Sequence, residues 1–153
     1  MKQNFLDFLI KSFILIANLI HIEDAGSLSM FIKIIELPHK ASETLDFTYI
    51  IMSVDAANVL DMGKADEMWS VLKTYITGGV TKIIINMENL DFIDSIGISV
   101  LINAAKQIRV NKGEIVLTNV SERIEGIFRP VNLNRFIQIV RSETEALSIL
   151  RLI

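Results

Sequence analysis

The sequence predicts a single α/β domain, a mixed β-sheet of about four to five strands with helices packed on it. Three observations carry that expectation. Short β-branched runs, of which Thr81 to Asn86 after the Gly78-Gly79 break is the clearest, alternate with segments of helical periodicity. One such segment sets Ile98, Leu101, Ile102, Ala105 and Ile108 at the i, i+3, i+4, i+7 spacing of a helix with one face in a core. Between that strand and that helix stands Asp94-Ser95-Ile96-Gly97, the short polar turn of half a βαβ unit, where α/β proteins place functional groups.

Composition agrees. The 153 residues, 51% hydrophobic and 22% charged, suffice for one domain with a real core and do not resemble a disordered chain. A net charge of −3 argues against a nucleic-acid partner, which would ask for a basic stripe. The absence of cysteine removes disulfides, zinc–thiolate sites and thiol nucleophiles, and fits a reducing, cytoplasmic setting.

In chain order, residues 1–29 read as an N-terminal extension distinct from a domain over 30–153. Phe5 to Ile20 is almost wholly apolar, and Asn4, Asp7, Lys11 and Asn18 recur at helical spacing as one narrow polar stripe. The uncharged run from Ser12 to about Ile22 is shorter than the roughly 20 residues of a bilayer span. Asp7 interrupts what would be a signal peptide, and the polar stripe is too poor in Lys and Arg for a helix lying on a membrane. The expectation is an apolar helix packed on the domain or against a second copy of the chain, which makes residues 4–20 a candidate homodimer contact. Asp24 to Ser29 reads as a linker, and Met30 is a second candidate start.

Phe31 to Leu37 is the first strand, ended by Pro38-His39, and Phe47 to Val54 is the second; the short polar loop between them predicts an antiparallel pair. His39, beside a proline in a polar loop, reads as solvated, and His21 has no partner at a useful spacing. One histidine alone makes no metal site, so neither metal nor cofactor is expected. Asp55 to Gly63 is a loop leading into a helix from about Lys64 to Thr77, whose apolar face is Met68, Val71, Leu72 and Tyr75. Beyond the central helix, Gly113 marks its end and Glu114 to Val120 is a further strand. Ser121 caps a helix to Phe128, with Pro130 just past it. Phe136 to Val140 is the last strand, and Ser142 with Glu145 forms a capping box for the last helix.

At the turn itself, Asp94 or Ser95 reads first as a plain N-cap, because short side-chain oxygens accept from the unpaired N–H groups of a helix start. A catalytic role has little to stand on. Gly-x-Ser-x-Gly is absent, and neither histidine is spaced to pair with Ser95.

The wider run Asn89-Leu-Asp-Phe-Ile-Asp-Ser-Ile-Gly97, followed by Ile98 and a helix ending near Asn111-Lys-Gly113, resembles the STAS domain family, and within it the small anti-sigma-factor antagonists (anti-anti-sigma factors). The similarity runs over roughly residues 31 to 150, and its specific part is the turn from Asp94 to Gly97. It implies that Ser95 is the serine phosphorylated by a partner kinase. Ile96 stands where the family has a second hydroxyl residue, and Ser99 where a second glycine is frequent. In the earlier loop, Asn58 replaces the family's glycine and Leu60-Asp61 match. Asp61 is then either the counterpart of an aspartate near the phosphoacceptor or an ordinary cap or loop carboxylate.

The function implied is that of an anti-sigma-factor antagonist. Unphosphorylated, it would bind an anti-sigma factor that is also a serine kinase; phosphate on Ser95 would end the binding, and a phosphatase would restore it. The chain itself would catalyse nothing. Asp94 would hold the turn, Gly97 would permit close backbone approach, and Ser99 with Asn103 would border the contact face. Ile96 and Val100 fall off the predicted core face, as apolar contacts or as simple helix packing. The alternative is a STAS scaffold or subunit of a larger signalling, transport or lipid-handling complex with no phosphoswitch, which the apolar N-terminal segment would suit.

Overall fold

The computed structural model describes residues 30–34, 50–54 and 59–151, the first two spans by their backbone. In chain order these hold β1 (Met30–Ile34), β2 (Ile50–Val54), β3 (Val59–Leu60), α1 (Met62–Thr77), β4 (Lys82–Asn86), β5 (Phe92–Ile93), α2 (Ser95–Val110), β6 (Glu114–Thr118), α3 (Glu122–Phe128), a 3₁₀ turn (Leu133–Arg135), β7 (Gln138–Val140) and α4 (Glu143–Ile149). The apolar segment 4–20, the 24–29 linker, His21, His39 and Asn58 lie outside the described residues.

Five strands form one mixed sheet in the order β1-β2-β4-β6-β7. β1 runs antiparallel to β2, with Met30 opposite Val54, the pairing expected from the sequence. The remaining neighbours are parallel, so each needs a crossover, and α1, α2 and α3 lie between successive parallel strands. Strands covered on both faces read as continuous β-branched runs, which is what Lys82–Asn86 shows. Ile83 and Ile85 join Ile115 and Leu117 in the larger core, with Ala65, Met68, Leu72 and Ile76 of α1 and Leu101, Ala105 and Ile108 of α2. Ile84, Val116 and Val140 point the other way, under Ala146 and Leu150 at α4. Full burial of each Val, Leu, Ile or Met side chain among them is worth about 1.5–3 kcal/mol, so the two faces hold the layers together without any buried ion pair among the described residues.

The structure departs from the sequence-based boundaries in several places. α1 starts at Met62, two residues before Lys64, because Asp61 caps it. Gly113 does not take the left-handed cap conformation; Lys112 does, with φ +59°. Gly113 is a glycine for another reason: a Cβ there would run into the Thr81 carbonyl oxygen. Phe136 precedes the last strand, closing the 3₁₀ turn, and β7 begins at Gln138. Ser142 accepts from Glu145 N–H at 3.2 Å, but Glu145 accepts in return from Arg141 N–H, one residue ahead of the cap. Finally, Val100 is only 7% exposed and belongs to the main core, so it is not available as a surface contact. α2 packs on α1 as well as on the sheet, and two neighbours require a wider apolar face than one period supplies.

Candidate functional site

Two strands of two residues each build the site. β3 and β5 pair in parallel, Val59 beside Phe92 and Leu60 beside Ile93, apart from the main sheet. The Asp94 N–H then donates to the Leu60 carbonyl at 3.2 Å, so α1 and α2 begin side by side. Their caps are nearly superimposable in local geometry: Asp61 has φ −94°, ψ −178° and Asp94 has φ −93°, ψ 179°. Each is an extended residue whose side chain turns back onto its helix, the usual arrangement for an N-cap aspartate.

The two caps differ in strength. One oxygen of Asp94 accepts from Ile96 N–H at 3.0 Å and from Gly97 N–H at 2.8 Å. Among the described residues Asp61 accepts from Lys64 N–H alone, at 3.4 Å. Of the two roles open to Asp61 in the sequence, the cap is the one its geometry displays; the same geometry also sets it beside the turn that contains Ser95.

Gly97 is buried, and the reason is contact. A Cβ built on it would lie 2.7 Å from Ile93 Cγ1, 2.8 Å from the Leu60 carbonyl oxygen and 3.0 Å from Leu60 Cγ. The absence of a side chain is what lets the first turn of α2 close onto β3. Ser95 is the first helical residue and is exposed. Its hydroxyl has no protein partner among the described residues, whereas Ser99 Oγ donates to the Ser95 carbonyl at 2.8 Å. Ile96, Ser99 and Asn103, spaced three and four apart, form one exposed stripe on α2. Val100, one turn on from Ile96, borders that stripe but is buried in the core.

Met62 and Phe92 stand at the same end and are exposed; sequence reasoning passed over both. The signal was faint but present. Each is a large apolar residue within two positions of a capping aspartate, and Phe92 is out of phase with the buried Ile93. Among the described residues there is no histidine, no group of three side chains that could hold a metal ion, and no helix long and apolar enough to cross a membrane.

The family model of the STAS domain matches residues 40–146. A putative anti-sigma factor antagonist of Bordetella bronchiseptica, BtrV, is 27% identical over 70 residues, which is 46% of this chain and 60% of that protein. An anti-sigma-B factor antagonist of Staphylococcus aureus is 29% identical over 80 residues, 52% of this chain and 74% of that one. Among solved structures, the unphosphorylated anti-sigma factor antagonist SpoIIAA superposes with a TM-score of 0.61 at 24% identity, covering 72% of this chain and 95% of its own. A putative anti-sigma factor antagonist of Thermotoga maritima gives 0.60 at 24% identity, covering 66% and 87%. These structural likenesses establish a common fold.

Proposed function

The chain belongs to the STAS domain family, and from that membership we propose that it is an anti-sigma-factor antagonist switched by phosphorylation of Ser95. Unmodified, it binds an anti-sigma factor that is also a serine kinase; the kinase phosphorylates Ser95 and the complex parts. A phosphatase resets the chain, which itself acts as no enzyme. Asp61, Asp94, Ile96, Gly97, Ser99 and Asn103 frame the contact. The curated relatives named as antagonists support the role. SpoIIAA, of the same fold, is known in unphosphorylated and phosphorylated forms, which supports the switch.

What carries the choice of Ser95 is its hydroxyl, exposed at the first position of α2 and unengaged among the described residues, while that of Ser99 is held by the Ser95 carbonyl. A phosphate adds about −1.5 to −2 charges at neutral pH. At a helix N-terminus that charge is favourable by roughly 0.3–1 kcal/mol, so the domain stays folded. The Asp94 carboxylate already occupies the Ile96 and Gly97 amides. The phosphate is therefore left facing outward, and its effect falls on whatever binds there.

Peptide mass spectrometry of the protein from its native cells tests this, with Ser95→Ala and Ser99→Ala alongside. A single phosphate on the Ser95 peptide, lost in Ser95→Ala and kept in Ser99→Ala, is the expected result. Absence of phosphate in growth, starvation and stress would sink the switch and leave a constitutive STAS module.

A further inference from the structure

Five large apolar side chains are exposed among the described residues: Met62, Phe92, Ile96, Val110 and Val131. Val110 ends α2 and Val131 follows α3, so both stand at helix C-termini. The other three lie within two residues of one hydrogen bond, that from Asp94 N–H to the Leu60 carbonyl: Met62 two past Leu60, Phe92 two before Asp94, Ile96 two after it. They are 63%, 45% and 37% exposed. Because they come from three different elements, no helical or strand period accounts for their shared place beside that bond. Single exposed apolar residues need no explanation, but a cluster with a polar border marks a contact surface.

That border is acidic. Segments 59–67 and 88–97, which supply the cluster, carry Asp61, Asp66, Glu67, Glu88, Asp91 and Asp94 against one cation, Lys64. We infer that Met62, Phe92 and Ile96 dock a protein surface with an apolar centre and a basic rim, spanning both helix starts and not the Ser95 turn alone. The inference rests on the partner-switching function proposed above and specifies what the partner presents. Opposite charges at the rim steer the encounter, and the desolvated apolar centre holds the complex.

It also changes how the phosphate acts. A basic rim would attract a phosphate, so like-charge repulsion cannot be the release mechanism. Ser95 adjoins Ile96 at the apolar contact, and a dianion there would have to shed its water against apolar groups. Release should then persist at high salt, although salt slows the encounter by screening the rim.

The probes are the anti-sigma-factor kinases of the source organism, purified one at a time and titrated with the full chain. Met62→Ser and Phe92→Ser should each weaken the complex about tenfold, the effect of losing a central apolar anchor. Val110→Ser and Val131→Ser, equally apolar positions away from the cluster, should leave it unchanged. Glu88→Lys and Asp91→Lys read the rim without touching the apolar centre and should slow association several-fold. If the wild-type chain binds a kinase and the serine variants bind it equally well, the docking surface is refuted while the proposed function stands. If the wild-type chain binds none of the kinases, both fall.

Discussion

The Leu60 carbonyl oxygen occupies the space that a side chain on Gly97 would need, 2.8 Å from where its Cβ would sit. Ile93 Cγ1 closes the same space at 2.7 Å. Neither neighbour is the loose end of a flexible surface side chain: one is backbone and the other is buried. Gly97→Ala should therefore push β3 and β5 away from α2 and cost roughly 1–3 kcal/mol, the usual range for overpacking a core. Urea unfolding measures it. A variant as stable as the wild type would mean that β3 yields freely, and that the pairing of Leu60 with Asp94 is not fixed by this contact.

The two capping aspartates should respond unequally to truncation. Asp94→Ala removes an acceptor bonded to two amides and should cost about 0.5–2 kcal/mol. Asp61→Ala gives up one longer bond to Lys64 N–H and should cost less. Asp94→Asn keeps an oxygen in place and should stay close to wild type. Equal losses at the two positions, read by thermal or chemical unfolding, would contradict this ranking.

Tyr75 gives a pH signature. Burial on α1 disfavours its phenolate and raises its pKa above the ordinary 10.0. The sign follows from linkage: a group whose pKa is raised by folding adds stability below its unfolded value and loses it as the pH climbs through the folded one. Wild-type protein should thus lose stability above about pH 10.0 more steeply than Tyr75→Phe does. Parallel alkaline curves for the two proteins would rule the effect out.

The sheet and the long helices could be read from the sequence because burial writes a period into them. Ile83 to Ile85 are covered from both sides and leave a continuous apolar run; Ile98, Leu101, Ala105 and Ile108 face one core and recur at helical spacing. β3 and β5 have no such record. A strand of two residues has no period, and Leu60 is defined as a strand residue by Ile93, its partner much later in the chain. Without that pair Asp61 could be a cap or a loop carboxylate, and Met62 and Phe92 were merely apolar. The Asp94 turn was legible because its chemistry is local, a cap and a glycine within four residues. For Val100 the sequence left apolar contact and helix packing both open, and packing is what the structure shows, because α1 buries a second side of α2.

The parallel pairing of β3 with β5 also bears on when the molecule becomes competent. The antiparallel β1–β2 ribbon needs no crossover, but Leu60 cannot meet Ile93 until α1 and β4 have been traversed and docked. Pairings that close so long a stretch of chain are slow to form. An incompletely folded chain, or a fragment ending before Phe92, would carry Asp61 and Met62 with nothing beside them. A partner that engaged both helix starts, as proposed, would thereby select the finished domain. By binding the native state alone, it would also draw slow folders toward completion through mass action.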